Sequence, residues 1–204
     1  MALRSDRWVG ADYWGQAADK SLTLDEVMAR SQVVVIGIDG GGLDDLLGLA
    51  VLGRTARDRQ WLLWSRAWAH VSVLERRKSE ASMLRDLEKA GDLVIYEEFG
   101  QDIAEVAELA QRISKKGLLH AVALDPYGVG AIVDALDEVG ISGQERIVGI
   151  SQGWKLTGAI KTAERKLADG TLCHGDQRLM SWCVSNAKVE PRGNAIAITK
   201  QAST

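Results

Sequence analysis

Cysteine is scarce. Cys173 and Cys183 are the only two in 204 residues, too few for a disulfide framework and without the spacing of a zinc site. Buried free thiols in a reducing compartment are the expectation. No apolar run is long enough to cross a bilayer, and the opening MALRSDRW has no apolar core of a secretory signal. Phenylalanine occurs once against seven tryptophans. Trp8, Trp14, Trp61, Trp64 and Trp68 are read as core or docking aromatics. Positive charge is not in excess: 25 Lys and Arg against 28 Asp and Glu leave a net charge of −3. That excludes a simple nucleic-acid-coating protein. A nuclease stays open, because clustered carboxylates hide local basic patches in the sum. There is no Gly-Lys-Ser/Thr of a Walker A loop, and no dinucleotide fingerprint leading into a helix. His70, His120 and His174 are scattered, so no Ser-His-Asp triad can be read; each is expected to be structural or on the surface.

What is present begins with Val33 to Asp45, VVVIGIDGGGLDD. The apolar run is short and β-branched, which reads as a strand buried on both faces. It delivers Asp39, then three glycines, then Asp44 and Asp45. The length fits one domain with extensions, and 46% apolar residues suffice for a core. Residues 1–30 read as a polar lead-in to a domain spanning 31–204. Within the lead-in, Thr23 and Glu26 stand at capping-box spacing before a short helix. Further strands are predicted at Leu46 to Arg54 and Gln60 to Ala69. The short connections make these three an antiparallel meander. Next come a helix over Val71 to Ala90, a strand over Leu93 to Tyr96 and a helix over Asp102 to Lys116. A strand over Leu118 to Leu124 ends in Asp125-Pro126. Helices over Gly130 to Glu138 and Leu156 to Ala168 flank a short strand at Arg146 to Ile150. A hairpin turns at Pro191 to Asn194. The pattern is a mixed α/β sheet with an antiparallel start and flanking helices.

Two strands therefore deliver aspartates. If they are neighbours, Asp39 and Asp125 share one edge, and their mutual repulsion calls for a cation. Mg²⁺ or Mn²⁺ among carboxylates and water would meet it, and such sites support attack of water on a phosphodiester. The plainer alternative is that the aspartates only begin turns. The glycines carry a competing reading: Asp-Gly-Gly-Gly after a strand also occurs as a phosphate loop in actin-like ATPases. Lys155, Lys161, Lys188, Arg192 and Lys200 concentrate positive charge in the last quarter. They are a solvated surface or a DNA-facing patch.

The segments VVVIGIDGGGLDDLLGLAVLGR, AVALDPYGVGAIVDAL and IVGISQGWKLTGAIKTAERKLADGTLCHGDQRLMSWCVSNAKVEPRGNAIAITK resemble the C-terminal nuclease domain of tailed-phage terminase large subunits, in the HK97-like group. The resemblance covers roughly residues 30–204. It implies an RNase H-like fold and a metal-dependent endonuclease that cuts concatemeric double-stranded viral DNA during packaging. Mg²⁺ or Mn²⁺ would be held by Asp39 and Asp125, with Asp44 or Asp45 at a further acidic position. The implied partners are double-stranded DNA, an ATPase domain that drives packaging, the small terminase subunit and the portal. The implied location is the host cytoplasm rather than the mature virion. The family's third acidic ligand follows the hairpin on a helix, and the sequence stops at Thr204. The expectation is a site without that ligand, for which Glu97, Glu98 and Asp176 are the substitutes to check. A catalytically incomplete docking domain is the corresponding alternative.

Overall fold

The computed structural model describes residues 6–42, 45–126 and 128–200. The β-branched run forms β1 (Ser31–Gly42), which turns back into β2 (Asp45–Thr55) and then β3 (Trp61–His70). Both pairings are antiparallel, as the short links require. The chain then alternates: α3 (Val73–Arg76), α4 (Ala81–Lys89), β4 (Leu93–Tyr96), α5 (Gln101–Lys115), β5 (Leu119–Leu124), α6 (Gly130–Glu138) and β6 (Ile147–Gly149). A 3-10 turn (Gly153–Leu156), α7 (Thr157–Ala168), β7 (Leu172–His174) and α8 (Arg178–Ser185) follow. The strands β8 (Ala187–Arg192) and β9 (Ala195–Lys200) make a separate hairpin. Two helices precede the sheet, α1 (Gly10–Trp14) and α2 (Leu24–Arg30).

Strand order in the seven-stranded sheet is β4-β3-β2-β1-β5-β6, with β7 sharing the outer edge of β3. β4 pairs with residues 67–70 of β3 and β7 with residues 61–63. β5 runs parallel to β1, and β6 parallel to β5. One face carries the main core: Val34, Ile36 and Ile38 of β1 pack with α2, α5 and α6 through Val27, Val106, Ile113 and Leu136. The other face holds two smaller clusters. One sets α1, α7 and α8 against Trp61 and Leu63; the other sets α4 against Ala67 and Ala69.

The helix expected over 71–90 is interrupted. Residues 75–80, ERRKSE, offer nothing apolar to the sheet, so packing holds Val73 and Leu74 on one side and Met83, Leu84 and Leu87 on the other. β7 and α8 were not separable from loop in the sequence, because three and eight residues are too short to show a period. The cap expected at Thr23 forms: its Oγ1 accepts from the Glu26 amide at 3.2 Å. The lead-in packs on the domain. Trp8 and Trp14 are buried, donating to Glu164 Oε1 and Ser181 Oγ at 3.0 Å each. Cys173 is half-buried, but Cys183 is exposed rather than buried, since it lies on the outer side of α8.

His174 locks this arrangement. Its ring stacks on Trp14 with centroids 3.7 Å apart. The Asp176 amide donates to Nδ1 at 3.1 Å, so Nδ1 carries a lone pair and Nε2–H donates to the Trp14 carbonyl at 2.8 Å. Burial pushes its pKa below the ordinary imidazole value. The histidine is structural, as expected.

Candidate active site

The parallel register of β1 and β5 ends at Ile38 opposite Leu124. Both side chains are buried in the main core. Alternation carries the next residue of each chain, Asp39 and Asp125, toward the opposite face. Neighbouring strands lie about 4.8 Å apart, so the backbones of the two aspartates stand about 5 Å apart at one sheet edge. Asp39 is exposed and Asp125 is half-buried. Pro126 follows Asp125, and the chain leaves the sheet there.

The residues around Asp39 on its own face are small. Gly48 lies directly across from it on β2, and Gly37, two residues earlier, is flanked by Ala50 and Ala123. A Cβ added to Gly37 would meet nothing within 4 Å, and one added to Gly48 would meet only the Asp39 carbonyl, at 3.6 Å. The floor beside the aspartates is thus bare backbone, open to close approach by a ligand. In the sequence Gly37 reads only as an interruption of an apolar run. Its significance depends on which strands flank it, and that pairing is not visible in a single segment.

The glycine run is part of a strand and its turn. Gly40 and Gly42 pair with Leu47 and Asp45, so the glycines continue β1 into the β1–β2 hairpin. Gly40 has φ +81°, and an added Cβ would sit 2.4 Å from the Leu46 carbonyl oxygen. Glycine is needed there for the turn.

Asp45 is three rungs beyond the Asp39–Gly48 pair, about 10 Å along the strands. Its Oδ1 accepts from the Leu46 amide at 2.9 Å and lies 3.6 Å from Arg77. Asp44 falls outside the described residues. Glu97 and Glu98 are exposed just past β4, which is three strands from β1, or about 14 Å. Asp176 follows β7, whose last pairing is with Leu63. That pairing lies four residues short of the Asp39 level of the sheet, also on the far edge. None of the three joins the pair. Among the described residues no three His, Cys, Asp or Glu side chains come together as a metal cluster. Among the described residues the carboxylates at this end of β1 and β5 are those of Asp39 and Asp125, hard oxygen groups of the kind that suits Mg²⁺ or Mn²⁺ rather than softer metals.

The basic residues lie on the module of α7 and the β8–β9 hairpin, which packs on the sheet face at Trp61 and Leu63. Lys155 is in the 3-10 turn that follows β6, Lys161 is on α7, Lys188 and Arg192 are on β8, and Lys200 closes β9. Thr157 Oγ1 joins turn and hairpin, accepting from the Ile196 amide at 3.0 Å and donating to its carbonyl at 2.9 Å. Lys161 pairs with Glu164 at 2.8 Å and Arg192 with Glu190 at 3.3 Å. The Arg192 pair is exposed at both ends and weak enough to exchange for phosphate, while Lys161 is exposed but its partner Glu164 is largely buried. A cleft of about 1170 Å³ lined by Leu24, Trp64, Arg66, Glu105 and Arg112 lies elsewhere, where β7 and β4 leave part of the β3 edge uncovered. At the end of β4, Tyr96 donates to Asp102 Oδ2 at 2.9 Å. Burial and that carboxylate push its pKa up to about 12, so it is a structural phenol.

The family model described as "Terminase large subunit, endonuclease domain" matches residues 1–204. Among solved structures, the large terminase of bacteriophage HK97 superposes with a TM-score of 0.74 at 20% identity. The match covers 94% of this chain and 39% of that one. The large terminase nuclease of the thermophilic phage G20c superposes with a TM-score of 0.51 at 11% identity, covering 84% of this chain and 74% of that one. A structure of the G20c nuclease with bound cobalt gives a TM-score of 0.50 at 13% identity, covering 84% and 73%. No curated protein matches by sequence. The chain spans about two fifths of the length of the HK97 protein.

Proposed function

The chain belongs to the terminase large subunit endonuclease family, and we propose that it hydrolyses phosphodiester bonds of double-stranded DNA with a divalent cation held by Asp39 and Asp125. The sheet is of the family's RNase H-like type. The observation that carries the proposal is the place of Asp39 and Asp125, each one residue past the last β1–β5 pair, above a floor of glycine and alanine.

Each residue has a part. The two carboxylates supply hard oxygen donors, and their mutual repulsion at about 5 Å favours a cation between them. Gly37 and Gly48 leave room for a phosphate to approach. Lys155, Lys161, Lys188, Arg192 and Lys200 neutralise phosphates on either side of the scissile one, fixing register without reading sequence. Mg²⁺ or Mn²⁺, singly or as a pair, supplies Lewis acidity for attack of water on the phosphodiester. Cobalt in the G20c nuclease supports divalent-ion use in this fold. We place the reaction in the cutting of concatemeric viral DNA in the host cytoplasm. The ATPase domain of the large subunit, the small subunit and the portal would be its partners.

The test is cleavage of supercoiled plasmid in Mn²⁺ or Mg²⁺. Wild type should nick and linearise it, EDTA should stop it, and Asp39→Asn and Asp125→Asn should each lower the rate at least about a hundredfold, the scale of losing a main electrostatic contributor. Equal cleavage by wild type and both variants would overturn the assignment.

A further inference from the structure

The exposed aromatic on the segment that follows β6 is unexplained by metal binding or phosphate neutralisation. Trp154 is 59% exposed. Among the described residues the other exposed large hydrophobics lie elsewhere: Val9 at the N-terminal segment, Phe99 past β4, Trp182 on α8 and Ile198 on β9. Phe99 is in addition stacked on His70 at 4.7 Å. Only Trp154 lies on the segment that leaves the sheet next to β5.

That segment is tied to the site. β6 pairs with β5 up to Gly149 opposite Leu124, and the Ile150 amide donates to the Leu124 carbonyl at 2.8 Å, next to Asp125. Trp154 follows four residues later, at most about 14 Å along an extended chain. Its backbone is held: the Trp154 carbonyl and the Ile196 carbonyl on β9 share the one proton of Thr157 Oγ1, at 2.6 and 2.9 Å, and the Ile196 amide donates to the same oxygen. Ser151, Gln152, Gly153 and Lys155 around it are all exposed. A large flat ring is thus presented on a fixed backbone, with a cation next to it and no apolar cover, within a few nucleotides' reach of a phosphate at Asp39 and Asp125.

Resting on the nuclease reading above, we propose that Trp154 stacks on a DNA base displaced from the duplex beside the scissile phosphate, with Lys155 on the adjoining phosphate. Aromatic rings bind bases through their shared π-faces without reading sequence. The selectivity that results follows the cost of unstacking: steps that open easily, and mismatches whose opening is already accomplished, are favoured. Trp154 would then select where the nuclease engages DNA, while the aspartates do the chemistry.

The test uses the full chain in Ca²⁺ and fluorescence anisotropy with two 20-base-pair duplexes, one fully paired and one with a central two-base mismatch. Wild type should prefer the mismatched duplex by roughly tenfold, the scale of one base–aromatic stack. Trp154→Ala should abolish that preference, and Trp154→Phe, which keeps the π-face, should retain most of it. Thermal melting of both variants checks that the fold is intact. A wild type without preference, or a Trp154→Ala variant that keeps it, overturns the inference about Trp154 and leaves the nuclease reading standing. A wild type that binds neither duplex overturns both.

Discussion

Acidification should destabilise this protein through His174, and the size of the effect can be worked out. The ring is 1% exposed, stacked on Trp14, and hydrogen-bonded as the neutral Nε2–H tautomer. Protonating Nδ1 would set an N–H against the Asp176 amide with no acceptor, in a site where burial already disfavours the charge. The folded ring therefore holds its pKa below the ordinary value, while the unfolded chain takes up a proton as pH falls through about 6.5. Below that point the unfolded state binds more protons, so stability rises with pH there. The contribution is fully present above about pH 6.5 and is lost as pH falls below it. One pH unit below, a ring that stays neutral in the fold costs about 1.4 kcal/mol. In a domain of this size that is about 3–6 °C in melting temperature. Circular dichroism melts near pH 7.5 and pH 5.5, run on wild type and His174→Gln, isolate the contribution, because the two proteins differ only at that ring. The wild-type drop should exceed the variant's by that amount. Equal drops would refute the buried neutral ring.

Gly40→Ala should cost about 2 kcal/mol or more, from the left-handed φ and the clash with the Leu46 carbonyl. Chemical denaturation measures this, and an unchanged midpoint would show that the β1–β2 turn does not need glycine. Thr23→Ala removes the hydroxyl that caps α2 and should cost about 1 kcal/mol, read as a lower thermal midpoint. Charge reversal at Lys155 and Arg192 should weaken DNA binding similarly for unrelated duplex sequences. It should also reduce the slope of log affinity against log salt by about 0.9 per lost phosphate contact; an unchanged slope would remove these residues from the interface.

The sheet was legible because β1, β5 and the meander carry dense, β-branched apolar runs, and because short links leave antiparallel pairing as the only connection. Asp125 was legible as a strand ending, whereas Asp39 lies within β1, which runs on to Gly42; the parallel pairing of β1 with β5 brings the two chains together there. Other features depend on tertiary contacts that no local pattern announces. β7 is three residues whose strand identity comes entirely from the β3 edge. The break at Arg77 follows from what the sheet surface offers to residues 75–80. The bare floor around Asp39 needs Gly37 of β1, Gly48 and Ala50 of β2 and Ala123 of β5 to meet, from segments up to about eighty-six residues apart. Trp154 looked like one tryptophan among seven until its place beside β5 was fixed.

The central claim is that Asp39 and Asp125 together hold a divalent cation. Mn²⁺ titration followed by electron paramagnetic resonance of the free ion measures this without DNA and without turnover. Wild type should take up Mn²⁺, while Asp39→Asn and Asp125→Asn should each weaken binding by at least about tenfold, the scale of removing one charged oxygen donor. Mn²⁺ affinity unchanged in both variants would contradict the account.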